Sequence, residues 1–450
     1  MCGIVGVRGG KENTEASILA YLGSYAQQHR GQESAGIISS DGERLYQEVG
    51  MGRVREFFTE ARLARLPGFM AIGHNRYATT GSPRVCNAQP LVARSAFGEI
   101  AIAHNGNLVN TVPVYDALLR AGVVFSSTTD TEIILQLTVH STEESFAACL
   151  VDALKQVEGA YSLVVMNKDE LIAVRDPRGF RPLCMGTLPY GGFVFTSETC
   201  ALDLIEAENV RELMPGEMVH VSQTGIRAFF PFAEEIQQPC FFELVYFSRP
   251  DSTVFGENVY LTRKALGRQL AKEAPVFAEV VVPVPDSGVP AAMGYSEESR
   301  IPLEFGLTRN HYVGRTFIEP SQNIRHFGVK VKHNPIRCVL KDKNVVLVDD
   351  SIVRGTTSKK LVEMVRSAGA REVHVRVSSP PPKEPCLYGI DTPTRGEYIA
   401  NKYNIEETRR FIGADSLQYL SYEGMLAIAG KTGKNHCTTC WTGKHSIHIF

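Results

Sequence analysis

Excess charge, cysteine and long apolar runs are all scarce in this sequence. Its 47 basic and 49 acidic residues leave a net charge of −2, so no broad positive field predicts binding to nucleic acid or to a membrane surface. No apolar run approaches the roughly 18 residues that a membrane helix needs. The first residues lack the basic segment and apolar stretch of a signal peptide. Ten cysteines in 450 residues are too few for a disulfide scaffold, so a reducing, cytoplasmic location is expected.

The composition is otherwise that of an ordinary folded protein. Hydrophobic residues make up 44% and charged residues 21% of the chain, and 39 Gly with 23 Pro are far below the share typical of collagen or low-complexity disorder. A length of 450 residues predicts two or three domains, each large enough to bury a core. We therefore expect a multidomain globular enzyme.

The two halves of the chain have different hydrophobic patterns. In the first half, short apolar segments bounded by turn residues indicate strands over 2–7, 69–73, 99–104 and 161–166. Apolar residues spaced three and four apart indicate helices over 130–137 and 145–156. In the second half, fully apolar strands over 280–284 and 344–349 alternate with helices such as 358–368, which predicts a parallel sheet covered on both faces. The Pro-rich run 378–383 is predicted to be a loop, and the boundary between the halves is expected near 230–250.

Cys2 follows Met1 directly, so removal of Met1 would expose the α-amino group of the cysteine. An α-amino pKa of about 7.7–8.0 and a thiol pKa of about 8.5 make proton exchange between these groups nearly balanced near neutral pH. A thiol activated by its own amine is an N-terminal nucleophile. A Met-Cys start by itself indicates only an ordinary cysteine, so the prediction depends on the motifs that follow.

Four further motifs follow in order, namely HRGQESAG at 29–36, GHNRYATTG at 73–81, HNG at 104–106 and TTDT at 128–131. With the N-terminal segment they make residues 2–235 resemble the N-terminal-nucleophile, or class II, glutamine amidotransferases. The resemblance implies an αββα glutaminase sandwich with Cys2 as the catalytic nucleophile.

The chemistry of glutamine agrees with this resemblance. Arg76 suits the substrate carboxylate through a bidentate fork, and Asp130 suits the α-ammonium. Asn105 and the backbone N–H of Gly106 suit an oxyanion hole, because glycine permits close approach. The alternative for Arg76 or Asp130 taken alone is a surface salt bridge.

The strongest motif is VVLVDDSIVRGTTS at 345–358, a buried strand that ends in two carboxylates before a turn opens a helix. In an open parallel sheet, ligands bind beyond the carboxyl ends of the strands. Asp349 and Asp350 can accept hydrogen bonds from ribose hydroxyls or help to hold Mg²⁺. A phosphate would meet the hydroxyls and N–H groups at the positive end of the helix, offered by Arg354, Gly355, Thr356, Thr357 and Ser358.

This motif resembles the phosphoribosylpyrophosphate (PRPP) signature of the type I phosphoribosyltransferases. The segment 283–289 then looks like the pyrophosphate-binding loop of that fold, with Asp286, Ser287 and Gly288 at PRPP. By the same resemblance Ser287 would join Asp349 and Asp350 around Mg²⁺. The segment 324–333 looks like the flap that closes over PRPP and supplies Lys330, with an ordinary solvated loop as the alternative.

Over its whole length the chain resembles the PRPP amidotransferase family, which combines these two activities. The fold implied is a mixed α/β and α+β one, with a glutaminase domain over 2–235, a parallel-sheet phosphoribosyltransferase domain over 236–400 and a C-terminal extension over 401–450. The resemblance implies that glutamine, PRPP and water give 5-phosphoribosylamine, pyrophosphate and glutamate, the first committed step of purine synthesis. Because free phosphoribosylamine and ammonia are easily lost, we also hypothesise an internal path for ammonia between the two sites. The resemblance further implies feedback inhibition by purine nucleotides and a homotetramer.

Four of the ten cysteines stand out, namely Cys240, Cys386, Cys437 and Cys440. Four thiolates from separate segments suit a [4Fe–4S] cluster, but a tetrahedral zinc site in the His-containing tail and a redox dithiol at Cys437-Thr-Thr-Cys440 are alternatives. The layout is similar to the iron–sulfur branch of the family, which implies a structural cluster and sensitivity to oxygen. Some members of that branch carry a short propeptide, whereas here we expect removal of Met1 to suffice.

Two other functions are possible on the residues alone. An amidotransferase for hexosamine phosphate or asparagine would share the first half, but neither explains the motif from Asp349 to Ser358. A non-catalytic PRPP sensor would not need Cys2, Arg76, Asn105 and Asp130 together.

Overall fold

The computed structural model describes residues 1–10, 15–77, 82–310, 333–429 and 435–447. The strands are β1 Gly3–Gly9, β2 Ser34–Ser40, β3 Leu45–Met51, β4 Met70–Arg76, β5 Leu91–Ser95, β6 Gly98–Leu108, β7 Gly159–Met166, β8 Leu171–Arg175, β9 Cys184–Thr187, β10 Gly192–Thr196, β11 Glu208–Glu212, β12 Met218–Ser222, β13 Gly225–Phe229, β14 Thr253–Val254, β15 Glu257–Asn258, β16 Val280–Pro283, β17 Leu307–Arg309, β18 His333–Pro335, β19 Asn344–Asp349, β20 Glu372–Val377 and β21 Ser416–Tyr419.

Helices of two turns or more flank these strands, and several single-turn helices lie in the connections. The longer helices are Ala16–Ala26, Thr111–Arg120, Asp130–His140, Phe146–Leu154, Val259–Glu273, Val289–Ser299, Thr356–Ser367 and Ile405–Ile412, with Thr199–Leu204 and Tyr422–Ile428 slightly shorter. The single-turn helices are Val54–Phe57, Glu60–Leu63, Arg337–Leu340, Ile399–Lys402 and Thr439–Thr442. Within the described ranges, none of the helices combines the length and the apolar character needed to cross a membrane.

The first half is a four-layer αββα sandwich, as the sequence predicts. One antiparallel sheet has the order β11-β9-β10-β1-β4-β2-β3, and the other has the order β13-β12-β8-β7-β6-β5. Ile4 and Ile72 of the first sheet pack against Ala103 and Val164 of the second in the inter-sheet core. The helix Ala16–Ala26 covers the outer face of the first sheet, and the helices Asp130–His140 and Phe146–Leu154 cover that of the second. Strand β1 is buried on both faces because it lies in the middle of this stack.

The second half contains a four-stranded parallel sheet with the order β16-β19-β20-β21. Alternate residues of β19 face opposite cores: Val345 and Leu347 pack beneath the helix Thr356–Ser367, whereas Val346 and Val348 face the helices Val259–Glu273 and Val289–Ser299. Two covered faces explain why these strands are continuously apolar. The edge strand β21 comes from the segment 401–450, so the region predicted as an extension completes this sheet.

The predicted strands and helices are confirmed at their centres. The helix predicted over 358–368 begins two residues earlier, at Thr356, because Gly355 adopts a φ of 74° at its N-cap and turns the chain directly into the helix. The Pro-rich run 378–383 is a loop, as predicted. Lys330, with residues 324–332 of the predicted flap, lies outside the described residues.

Candidate active site

The predicted nucleophile lies where the two antiparallel sheets of the first half meet. Cys2 immediately precedes β1 and is only 7% exposed. Its backbone N–H donates a hydrogen bond to Asn105 Oδ1 at 3.0 Å, and its Sγ lies 3.7 Å from the carbonyl oxygen of Tyr77. Face-to-face packing of the sheets therefore brings together three chain segments that carry predicted amidotransferase motifs.

Asn105 and Gly106, which are predicted to form an oxyanion hole, are adjacent and buried on β6. The Asn105 carboxamide oxygen is used by Cys2, whereas its Nδ2 is buried and has no hydrogen-bond partner among the described residues. A buried N–H group without a partner is costly, so it points to an acceptor that arrives with substrate. Gly106 is packed so closely that an added Cβ would lie 1.9 Å from the Ala160 oxygen, which excludes any larger residue.

The two predicted glutamine-binding residues are buried beside these groups. Arg76 ends β4, immediately before Tyr77, and forms an ion pair with Glu33. Asp130 begins the helix Asp130–His140 and accepts a hydrogen bond from the Leu108 N–H at 2.9 Å. Strand β6 thus carries Asn105 and Gly106 and also orients Asp130, so one element organises both ends of the predicted substrate site.

A buried ion network connects Cys2 to the second half of the chain. Arg30 is fully buried; its Nε donates to the Cys2 carbonyl oxygen at 2.9 Å, and its terminal nitrogens pair with Glu198 and Glu243. Arg181 reaches Glu243 from the other side at 3.4 Å. Burial alone would raise the pKa values of the two glutamates, but the cations beside them hold both below the usual range. Glu243 lies just after the first half, so this network fastens the two halves together next to the nucleophile.

We expect Glu243→Gln to lower the free energy of unfolding by about 3–5 kcal/mol, because it leaves Arg30 and Arg181 buried without their shared carboxylate. Urea denaturation followed by fluorescence measures this change. Glu48→Gln is the matched control, because Glu48 pairs with Arg62 and Arg65, whose side chains are 41% and 70% exposed, and should cost less than about 1 kcal/mol. Equal losses in the two variants would contradict a stabilising role for the network.

The second candidate site is a cavity of about 420 Å³ at the carboxyl ends of β16 and β19. Asp349, Asp350 and Ser287 line it, and the Ser287 side chain forms a hydrogen bond to Asp350. Burial and the neighbouring Asp350 raise the pKa of Asp349, and burial also raises that of Asp350. The partly buried Asp349 carboxylate and the buried Asp350 carboxylate lie side by side with a hydroxyl next to them, an oxygen-rich site suited to a hard divalent cation.

The turn predicted to hold phosphate forms one wall of this cavity. The wall consists of Arg354, Gly355, Thr356, Thr357 and Ser358. The backbone N–H groups at the start of the helix Thr356–Ser367 are available to an anion, since Gly355 forms no side-chain cap there. The Arg354 guanidinium is paired with Glu397 at 3.0 Å, on the exposed side of the wall.

The predicted pyrophosphate-binding loop, 283–289, lies only partly in the cavity. Ser287 lines the cavity, whereas Asp286 is about half exposed and forms an ion pair with Arg309. Gly288 caps the helix Val289–Ser299 and has no room for a side chain, because a Cβ would lie 2.6 Å from the Val348 oxygen. Gly288 therefore permits the close packing of this loop on β19.

The four singled-out cysteines come from three segments that are joined by backbone hydrogen bonds. Cys437 N–H donates to the Pro239 oxygen at 2.9 Å, and Phe241 N–H donates to the Cys437 oxygen at 3.2 Å. The Cys440 oxygen accepts from Lys383 and Glu384 at 2.8 and 3.1 Å. This pairing places the cysteines of the tail beside Cys240 and Cys386.

The four thiols lie close enough to affect one another electrostatically, with Cys240 and Cys437 buried and Cys386 and Cys440 partly buried. Burial raises the pKa of Cys240 to about 12, opposed by Arg181 and reinforced by Cys437 and Cys386. Burial also raises the pKa of Cys440, and the other three thiols raise it further. In the part of the chain that the structure describes, however, no group of three or more His, Cys, Asp or Glu residues could hold a metal ion.

No role is predicted from the sequence for Arg30, Arg181 or Tyr77. Arg30 and Tyr77 lie inside the recognised motifs, so their position in those motifs was a usable signal. Arg181 carried no signal, because it acquires its role only by contact with Glu243 and with the Cys386 sulfur, which lies 3.9 Å from its Nη2.

Both halves match known protein families. Residues 74–204 match the family described as glutamine amidotransferase domain, and residues 264–384 match the phosphoribosyl transferase domain. The chain is 50% identical to amidophosphoribosyltransferase 1, chloroplastic, of Arabidopsis thaliana, over 99% of this chain and 78% of the relative. It is 46% identical to the amidophosphoribosyltransferase of Methanocaldococcus jannaschii, over 100% and 98% of the two chains.

A solved structure agrees over the whole length. The glutamine PRPP amidotransferase of B. subtilis, complexed with ADP and GMP, superposes with a TM-score of 0.93 at 44% identity and covers 100% of this chain and 98% of its own. Together with the two candidate sites, these similarities show that the chain belongs to the amidophosphoribosyltransferases, the enzymes that use glutamine and PRPP in the first step of purine biosynthesis.

Proposed function

We propose that the two candidate sites act in series, with glutamine hydrolysed at Cys2 and its amide nitrogen transferred to PRPP in the cavity beside Asp349 and Asp350. The observation that carries this proposal is the position of Tyr77. Its carbonyl oxygen lies next to the Cys2 thiol, and the same residue lines the cavity that contains the two aspartates. One residue thus borders both sites.

In the glutaminase step, the Cys2 thiolate attacks the substrate amide carbon, with the α-amino group of Cys2 as the base after removal of Met1. Asn105 Nδ2 and the Gly106 N–H stabilise the negative charge that develops on the amide oxygen. Arg76 binds the substrate carboxylate, and Asp130 binds the α-ammonium. Ammonia leaves, and water hydrolyses the thioester to release glutamate.

In the transfer step, ammonia attacks C1 of PRPP and pyrophosphate departs. Asp349 and Asp350 hold the ribose, Arg354 to Ser358 hold the 5-phosphate, and Asp286, Ser287, Gly288 and Lys330 serve the pyrophosphate end. The acidic, hydroxyl-rich corner described above fits Mg²⁺, which Ser287, Asp349 and Asp350 would hold. The ion would offset charge that builds up on pyrophosphate.

Product stoichiometry tests the series arrangement. Glutamate, pyrophosphate and free ammonia are measured during turnover with glutamine, PRPP and Mg²⁺. We expect one pyrophosphate for each glutamate and little ammonia in solution, because an enclosed path would carry ammonia between the sites. Full release of ammonia to solvent, or glutamate formation that PRPP does not stimulate, would contradict coupled sites.

We also propose that Cys240, Cys386, Cys437 and Cys440 bind a [4Fe–4S] cluster with a structural role. The supporting observations are the backbone pairing of their three segments and the burial of the Cys240 and Cys437 thiols near the Arg181 cation. Each thiolate of such a cluster binds its own iron, so the four sulfurs need not converge on one point. A zinc site would require that convergence, with sulfurs about 2.3 Å from a single ion.

We expect anaerobically purified protein to contain about four iron and four sulfide per chain, with loss of both on exposure to air. Cys437→Ser should lower the iron content by removing a buried ligand. Cys338→Ser is the control, because Cys338 is exposed and distant from the other cysteines in sequence. One zinc per chain and no sulfide would support the zinc alternative instead.

Membership of this family also leads to proposals about how the enzyme is regulated and how its chains assemble. Purine nucleotides are proposed to inhibit the enzyme, supported by the ADP and GMP bound to the B. subtilis relative. The homotetramer, the cytoplasmic location and the domain limits 2–235, 236–400 and 401–450 remain predictions. Size-exclusion chromatography with light scattering tests the tetramer.

A further inference from the structure

Two glycines face each other across the junction between the halves. Gly389, with a φ of 107°, packs against Gly106, and a Cβ added to Gly389 would lie 2.8 Å from both the carbonyl carbon and the oxygen of Gly106. Gly106 is also closely packed against its own sheet, because a Cβ added to Gly106 would collide with the Ala160 oxygen. The oxyanion-hole residue is therefore enclosed between its own sheet and a segment of the second half.

The segment Cys386–Thr392, which contains Gly389, is fastened firmly to the first half. The Leu387 oxygen accepts a hydrogen bond from Asn107 Nδ2 at 3.0 Å, and the Tyr388 oxygen accepts one from Arg181 Nε at 2.8 Å. The Tyr388 ring stacks on Phe180 with centroids 4.4 Å apart and planes 12° apart. These contacts flank Gly389 on its N-terminal side and hold it against Gly106.

The other side of the same segment belongs to the phosphoribosyl cavity. Cys386, Ile390, Asp391 and Thr392 line that cavity together with Asp349 and Asp350. A hydrogen bond from the Cys386 N–H to Thr392 Oγ1, at 2.8 Å, closes the segment on itself. A seven-residue segment thus has one side in the cavity and the other on the oxyanion glycine.

We infer that Gly389 is a positioning residue for glutamine hydrolysis: by packing against the Cα and carbonyl group of Gly106 it fixes the backbone conformation of that residue and hence the direction of its N–H, and the segment Cys386–Thr392 links that conformation to the phosphoribosyl cavity. The inference rests on the proposed role of Gly106 in the oxyanion hole. Glycine is required at position 389 for two reasons, the positive φ and the lack of space, and only the second concerns the oxyanion hole.

The test is Gly389→Ala, with Gly413→Ala as the matched control. Gly413 also has a positive φ, of 78°, but an added Cβ would meet nothing within 4 Å, so this control places an alanine at a positive φ without the contact. For Gly389→Ala we expect kcat for glutamine hydrolysis to fall about 10²-fold, the scale of losing one oxyanion donor, with an unchanged KM for glutamine. Gly413→Ala should keep both values.

Two further readouts separate positioning from general damage. Alkylation of Cys2 by iodoacetamide, followed by peptide mass spectrometry, needs no oxyanion hole and should proceed at the wild-type rate in Gly389→Ala. Pyrophosphate release driven by ammonia should also be retained. A wild-type kcat for glutamine in Gly389→Ala, or equal losses with glutamine and with ammonia in folded protein, would overturn the inference.

Asn107→Ala covers the case in which Gly389→Ala does not fold. This variant removes the hydrogen bond from the first half to the Leu387 oxygen. It therefore loosens the segment Cys386–Thr392 without changing any residue of that segment. We expect kcat for glutamine to fall about 10-fold with KM unchanged, the scale of one hydrogen bond. An unchanged kcat would overturn the inference. Failure of the proposed function looks different, because glutamine hydrolysis would then survive Cys2→Ala.

Discussion

Cys2→Ala is expected to abolish glutamine-dependent pyrophosphate release while ammonia-dependent release continues. The loss should be at least about 10⁴-fold in kcat, because removal of a covalent nucleophile eliminates the acyl intermediate and no other group replaces it. The cavity beside Asp349 and Asp350 contains no atom of Cys2, so ammonia supplied from solution can still reach PRPP. The two activities are measured in parallel as pyrophosphate released with glutamine or with an ammonium salt.

The control for this experiment is Cys338→Ala. Cys338 is exposed, unlike Cys2, and its replacement should leave both activities unchanged. If Cys2→Ala also loses the ammonia-dependent reaction in folded protein, the two sites are not chemically separable. If it keeps glutamine-dependent activity, Cys2 is not the nucleophile.

Asp349→Asn and Asp350→Asn are expected to impair the transfer step and to spare glutamine hydrolysis, the reverse of the effect of Cys2→Ala. Each should lower pyrophosphate release with glutamine and with ammonia alike, by about 10²–10³-fold, because a carboxylate that serves ribose and Mg²⁺ acts after ammonia has formed. Basal hydrolysis of glutamine without PRPP should be retained, since Cys2, Asn105 and Gly106 are unaltered. Glu363→Gln, an exposed carboxylate on the helix Thr356–Ser367, is the control and should change neither activity.

Asp349→Asn should stabilise the protein while it inactivates it. Burial and Asp350 raise the pKa of Asp349 in the folded state above its unfolded value, so the folded protein binds more protons there. The ionised form of Asp349 therefore opposes folding. The wild-type protein should gain stability as the pH falls from the raised pKa of folded Asp349 toward the ordinary pKa of an unfolded aspartate. Asp349→Asn removes the repulsion, so its thermal midpoint in Mg²⁺-free buffer should exceed that of the wild type.

Addition of Mg²⁺ provides the complementary measurement. The ion should raise the thermal midpoint of the wild type, because binding to the folded state alone stabilises it, and should raise that of Asp349→Asn much less. A lower midpoint for the variant without Mg²⁺, or the same response to Mg²⁺ in both proteins, would contradict the proposed role of the two aspartates.

The parts of this protein that could be predicted from sequence are those whose signal is local. The strand, turn and helix from Val345 to Ser358 are contiguous, so residue order alone places two carboxylates at the end of a strand and a glycine at the start of a helix. The alternation of buried residues in β19, which faces two cores, likewise depends only on a period of two. Four site residues could be predicted because each lies inside a short motif, namely Cys2, Arg76, Asn105 and Asp130.

The contacts between the halves could not be predicted from any local sequence motif. Arg30 and Glu243 are 213 residues apart, and an arginine and a glutamate at that separation are no different in sequence from any surface pair. Gly389 looks like an ordinary loop glycine until its backbone is seen against that of Gly106. The same holds for Arg181, which lies between Glu243 and Cys386.

The sequence by itself therefore determined which chemistry each half carries, because nucleophile, phosphate turn and paired carboxylates are encoded in consecutive residues. Only the tertiary structure decided how the halves are joined: which buried charges meet, which backbone packs against Gly106, and which segments carry the four cysteines into one region. The physical reason is that burial removes water from these groups, so their pairing depends on packing between distant segments and not on the order of residues within any one of them.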